Sequence, residues 1–178
     1  MDARLSLSAD DFVLFDLPRR FVLDPVALDA KWKALQAAAH PDRHASGTST
    51  ARRLAMQWAM RINEAYRRLK DPLARAVYLC QLHGQDVAAE GNTTMPADFL
   101  VQQMAWREAL AESGSAGDVE ALCDEVAAAR RAMLAALESR IDGAGEVDWA
   151  DVASTVRRLM FIERFLSDVD RRLESLQD

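Results

Sequence analysis

Between residues 149 and 176, apolar side chains return every three or four positions: Trp149, Val152, Val156, Leu159, Ile162, Leu166, Val169, Leu173 and Leu176. A half-buried strand alternates with period two, so this spacing admits only a long helix with a coiled-coil-like seam. Such a seam needs other helices to cover it. One candidate runs about Pro96–Glu112 and stops at Ser113-Gly114-Ser115. The other spans about Asp118–Ile141, with Val119, Leu122, Val126, Met133, Leu137 and Ile141 as its stripe. Asp148 caps the last helix. Short Gly/Ser loops joining three such helices imply an antiparallel three-helix bundle.

The same logic extends to the whole chain. Half of its 178 residues are hydrophobic, while Gly (7) and Pro (5) are scarce, which favours an all-α protein. The net charge of −6 conceals an asymmetry. Through Gly84 there are 13 Lys/Arg against 9 Asp/Glu, a net +4; beyond it 9 Arg face 19 Asp/Glu, a net −10. Opposite signs suggest two modules with different partners. The polar stretch 85–95, with Gly91 and Asn92, lies where the sign changes. The expected division is therefore 1–84, a linker at 85–95, and the bundle at 96–178.

The basic half is punctuated by proline. Phe12-Val13-Leu14-Phe15 ends at Leu17-Pro18 as a short apolar helix or turn. Asp24-Pro25 is an N-cap followed by proline at the first helical position. Leu28, Trp32, Leu35 and Ala39 then share one helical face, leaving Lys31 and Lys33 towards solvent. His40-Pro41-Asp42 stops that helix, because proline biases the residue before it away from the α region. After turn formers at Ser46–Thr50, a second helix runs to about Lys70 with Ala55, Ile62, Ala65, Tyr66 and Leu69 inward. Asp71-Pro72 repeats the cap signal and opens a helix through Tyr78, Leu79 and Leu82 that ends at His83-Gly84.

Several function classes lose ground on these residues. Two cysteines, Cys80 and Cys123, make no disulfide framework and point to a reducing compartment. Neither a membrane-spanning run nor a signal-peptide core or transit pattern is visible, so a cytoplasmic protein is expected. His40, Asp42 and His44 alternate as metal ligands can, and Cys80 and His83 share a helical face, but no further pair completes a tetrahedral set. Neither metal nor cofactor is expected. Phosphate-cradling glycine loops and Gly-x-Ser-x-Gly elbows are absent. Arg52, Arg53, Arg61, Arg67, Arg68 and Lys70 could form a phosphate footprint. They are spread around a helix, however, and the acidic half would repel a polyanion. No nucleic acid and no membrane partner is expected.

Trp32-x-x-Leu35, His40-Pro41-Asp42-Arg43 and the run from Ile62-Asn63-Glu64-Ala65-Tyr66 to Tyr78-Leu79 together resemble a J-domain. Ala45-Ser46-Gly47, Leu79-x-x-Leu82-His83-Gly84 and a helical extension with Phe99-Leu100 and Arg107-Glu108 resemble, more narrowly, the HscB family of iron–sulfur co-chaperones. The resemblance implies a protein without catalysis of its own, made of an N-terminal J-domain and a C-terminal bundle. The J-domain would dock on a DnaK-like chaperone (HscA type) and stimulate its ATPase through His40, Pro41 and Asp42. Lys33, with Lys31 and Arg43, would supply a positive face. Ala37-Ala38-Ala39 departs from the basic and aromatic residues that other J-domains often carry there.

In the same scheme the bundle would hold an iron–sulfur scaffold protein (IscU type). Leu100, Val101, Met104, Glu108, Glu112 and Phe161 match family positions that bind the scaffold, while Ala105 stands where an acidic residue is expected. From spacing alone, Leu100, Val101 and Met104 lie off the seam of Phe99, Trp106 and Leu110, and Phe161 and Phe165 lie off the main stripe of the last helix. Surplus apolar positions can widen the core, pack on the first domain or meet a partner. On the partner account, Leu100, Met104 and Phe161 should be exposed neighbours. A general J-domain co-chaperone for another client is the alternative.

Overall fold

The computed structural model describes residues 6–39, 48–87 and 95–177. Among them are seven helices and no strand: α1 (Asp11–Leu14), α2 (Pro25–Ala39), α3 (Ser49–Lys70), α4 (Pro72–Leu82), α5 (Ala97–Glu112), α6 (Ala116–Asp142) and α7 (Trp149–Gln177). The chain divides into two compact units, Met1–Leu79 and Cys80–Asp178, with the division inside α4.

The first unit is built on the α2–α3 pair. Asp24 accepts the Val26 N–H at 2.9 Å, so α2 opens on its acid-plus-proline cap. Thr48 caps α3 by accepting the Ala51 N–H, and Asp71 caps α4 by accepting the Ala74 N–H. Arg67, Arg68 and Lys70 occupy the last turn of α3, where cations meet the negative end of the helix dipole. Asp29 approaches Tyr66 and Lys70 while Gln36 reaches back to Ala59 and Asn63, so α2 and α3 run antiparallel. Ala55, Ile62, Ala65 and Leu69 are buried as their spacing requires, and Trp58 joins them. Ile62 and Leu69 are wholly buried, which is worth about 1.5–3 kcal/mol each.

The second unit is the expected bundle. Arg140 pairs with Asp151 and Arg130 with Glu163, so α6 and α7 are antiparallel. Phe99 meets Phe161, Trp106 meets Phe165 and Ser113 meets Arg172, so α5 runs parallel to α7. Ser115 and Asp118 form a reciprocal capping box at the start of α6. At its end a Cβ on Gly143 would lie 2.2 Å from the Ser139 carbonyl oxygen, so that corner requires glycine. The core holds Phe99, Trp106, Val119, Leu122, Val126, Ile162, Phe165 and Val169.

At the end of α4, Gly84 takes φ +75° while the Gln85 N–H donates back to the Cys80 carbonyl, a helix stop that favours glycine. No helix among the described residues is long and apolar enough to cross a membrane.

Candidate functional site

Two surfaces are candidates for function, one in each unit. In the first, His40, Pro41, Asp42 and Arg43 lie outside the described residues. What the fold fixes is the helix that leads to them. Asn63 Oδ1 on α3 accepts hydrogen bonds from Trp32 Nε1 at 3.0 Å and from Gln36 Nε2 at 2.5 Å. The Trp32 ring stacks on Tyr66 with centroids 4.8 Å apart. The Tyr66 hydroxyl donates to Asp29 at 2.6 Å and accepts from the Lys70 ammonium at 2.7 Å. That hydrogen bond from Tyr66, followed by the charges of Lys70 and Lys33, holds the Asp29 carboxyl below the usual carboxylate range. Stacking and hydrogen bonds thus lock the rotation of α2 against α3.

The two lysines of α2 differ. Lys33 is exposed. Lys31 is half-buried and binds both the carboxylate and the carbonyl oxygen of Asp16, so its charge is partly satisfied within the fold. The basic stripe of α3 is likewise reduced. Arg61 and Arg68 grip the two oxygens of Asp11, whose carboxylate is wholly buried, at 2.6 and 2.9 Å. The Asp11 N–H meanwhile donates to the Tyr78 hydroxyl at 3.0 Å. This ion triad anchors α1 and removes two cations from any phosphate footprint. Asp11 and Asn63 are the residues that sequence reasoning passed over. The paired arginines at i, i+7 on α3 were the only signal for the first.

In the second unit, the outer face of α5 carries Leu100 (45% exposed), Val101 (67%) and Met104 (71%), three large apolar side chains within two turns. Ala105, Glu108 and Glu112 extend the exposed face. The structure corrects the expectation for α7. Phe161 is only half-buried rather than substantially exposed, and Phe165 belongs to the core at 2% exposure. The reason is that α7 presents two flanks, one to α6 and one to α5, and the phenylalanines fill the second. Phe161 packs edge-on to Phe99 at 5.7 Å and stacks on Phe165 at 5.9 Å, while the Arg107 guanidinium lies 5.5 Å above its ring. Trp106 lies beneath, its indole donating to Glu125 at 2.7 Å. Phe161 is therefore the floor at the edge of the α5 face, and Leu100, Val101 and Met104 are its exposed part.

Cys80 and His83, which share a helical face, have plainer surroundings than a metal site. Burial pushes the Cys80 thiol up to about 11, leaving it protonated at neutral pH and a poor ligand. The His83 ring stacks on Trp149, with centroids 3.8 Å apart.

Known proteins share this architecture. Residues 95–170 match the family described as the HSCB C-terminal oligomerisation domain. A co-chaperone protein HscB homolog from Ralstonia nicotianae is 48% identical over 97% of this chain and 99% of its own length. The solved structure of the chaperone HscB from Vibrio cholerae superposes with a TM-score of 0.79 at 34% identity, covering 94% of this chain and 99% of that one. The crystal structure of the human co-chaperone protein HscB, 23% identical, matches the fold with a TM-score of 0.86 over 94% of this chain and 84% of that one.

Proposed function

The chain belongs to the HscB family of co-chaperones, which serve iron–sulfur cluster biogenesis, and from that premise we propose that it couples a scaffold protein to a DnaK-like ATPase. The N-terminal unit, a J-domain, docks on an HscA-type chaperone in the cytoplasm and stimulates ATP hydrolysis through His40, Pro41 and Asp42. The C-terminal bundle holds an IscU-type scaffold and presents it to the same chaperone. No bond is made or broken by the co-chaperone itself.

The observation that carries this reading is the exposed Leu100, Val101 and Met104 face on a helix whose opposite side is already filled by Phe99 and Trp106. Large apolar groups left exposed while Phe99 and Trp106 fill the core side of the helix add nothing to the bundle's own packing. Their burial against a client would supply the apolar centre of an interface. Glu108 and Glu112 would steer a basic client edge and raise the association rate. On α2, exposed Lys33 supports chaperone docking more strongly than Lys31, which Asp16 already holds.

Two substitutions test the halves separately. His40→Gln should abolish chaperone stimulation while leaving scaffold binding and melting unchanged. Leu100→Ala with Met104→Ala should do the reverse. Normal stimulation by His40→Gln would reduce the tripeptide to a turn. Normal scaffold binding by the double variant would move the client site elsewhere.

A further inference from the structure

Of the chain's seven methionines, all but Met1 lie among the described residues. Met95 and Met133 pack against the bundle core, and Met160 is half-buried. Three stand in solvent: Met56 (61% exposed) and Met60 (68%) on α3, and Met104 (71%) on α5. An exposed thioether meets a dissolved oxidant freely, so these three sulfurs react first with a peroxide. Met56 and Met60 fall at i, i+4 on α3, in the unit that does not carry the client face. Met104 alone belongs to that face.

Leu100 and Val101 precede Met104 by one turn, at i−4 and i−3, so the three make one apolar strip with the methionine as its most exposed member. A client that covers the strip gains by removing this apolar surface from water. Oxidation inverts that gain. The sulfur lone pair attacks one oxygen of hydrogen peroxide; an S–O bond forms as the O–O bond breaks. The sulfur gives up two electrons, and the other oxygen takes a proton and leaves as water. The product is a polar sulfoxide in place of a flexible apolar side chain. Leu100, Val101 and Ala105 around it bring no side-chain hydrogen-bond donor. Docking would therefore strip the sulfoxide of water without replacing its hydrogen bonds. In the free protein the same group stays solvated, so the penalty falls on binding and not on folding.

We propose that Met104 is a peroxide-sensitive modification site, whose conversion to the sulfoxide releases the client from α5 and whose reduction restores the grip. This rests on the scaffold-binding reading above. Methionine sulfoxide reductases reverse the step, one enzyme for each epimer at sulfur. Two thiols are oxidised to a disulfide as the oxygen departs in water, so the site returns to its starting state.

The test uses the full-length co-chaperone and the purified IscU-type scaffold protein without its cluster. The co-chaperone is treated alone with hydrogen peroxide, freed of it, and titrated with untreated scaffold, while peptide mass spectrometry reports which sulfurs gained an oxygen. Oxidation at Met104 should weaken binding at least about tenfold with helicity and melting unchanged, and both reductases together should restore it. Met56→Leu with Met60→Leu should lose binding on treatment as the parent does. Met104→Leu, compared with its own untreated sample, should not respond. A parent fully oxidised at Met104 that still binds the scaffold overturns the inference. Equal loss in treated Met104→Leu also overturns it, since another residue would then carry the effect. So does a Met104 that stays reduced while Met56 and Met60 are oxidised. In each of these cases the client face stands if untreated Leu100→Ala with Met104→Ala binds weakly. If that double variant binds like the parent, the client face and the inference fall together.

Discussion

Asp11 shows what one residue decides. Its buried carboxylate holds Arg61 and Arg68 while its N–H meets Tyr78, so α1, α3 and α4 converge on a single side chain. Asp11→Asn should cost about 3 kcal/mol in urea unfolding, because two arginines lose the charge that pairs them. Asp10→Asn should cost far less, since its partner Arg19 is half exposed. Nothing local distinguished the two acids, because the deciding partners lie 50 and 57 residues further on. Asp29 gives a pH-dependent counterpart. Its folded carboxyl titrates below the ordinary aspartate value, chiefly through the Tyr66 hydrogen bond, so it binds its proton less readily than in the unfolded chain. The stabilisation is present above the unfolded pKa and disappears as pH falls through the lower folded one. In an NMR titration, Tyr66→Phe should move the Asp29 midpoint upward; an unmoved midpoint would deny Tyr66 that role.

Among the elements, α3, α6 and α7 were legible from periodicity, because each buries a stripe that recurs every three or four residues. Acid-plus-proline caps likewise marked the starts of α2 and α4. The candidate site was half legible. Leu100 and Met104 stand exposed as the partner account expected, and Val101 with them. Phe161 does not, since counting one stripe per helix ignores that a helix in a three-helix bundle touches two neighbours. The difference is measurable by thermal unfolding. Leu100→Ala with Met104→Ala should leave stability within about 0.5 kcal/mol, as surface changes do. Phe161→Ala should cost about 2 kcal/mol, below the range for a fully buried phenylalanine because its ring is only half-buried. Equal losses in both variants would put Leu100 and Met104 in the core and remove the client face.

For the molecule as a whole, the proposed function would divide the labour between the two units, as the charge asymmetry suggests. Among the described residues, the bundle core from Phe99 to Val169 includes none before Met95. A fragment of residues 85–178 should accordingly stay helical and bind the scaffold while failing to stimulate the chaperone; an unfolded fragment would mean that the two halves need each other to fold. Which protein each unit meets was never readable from periodicity, because a partner's surface leaves no spacing in this chain beyond the groups it would cover. The most direct measurement of the central claim is the ATPase rate of an HscA-type chaperone with the co-chaperone, with the scaffold protein, and with both. The account predicts that co-chaperone and scaffold together stimulate hydrolysis well beyond the sum of their separate effects. A response to the co-chaperone that the scaffold leaves unchanged would contradict it, and would leave a J-domain protein that serves some other client.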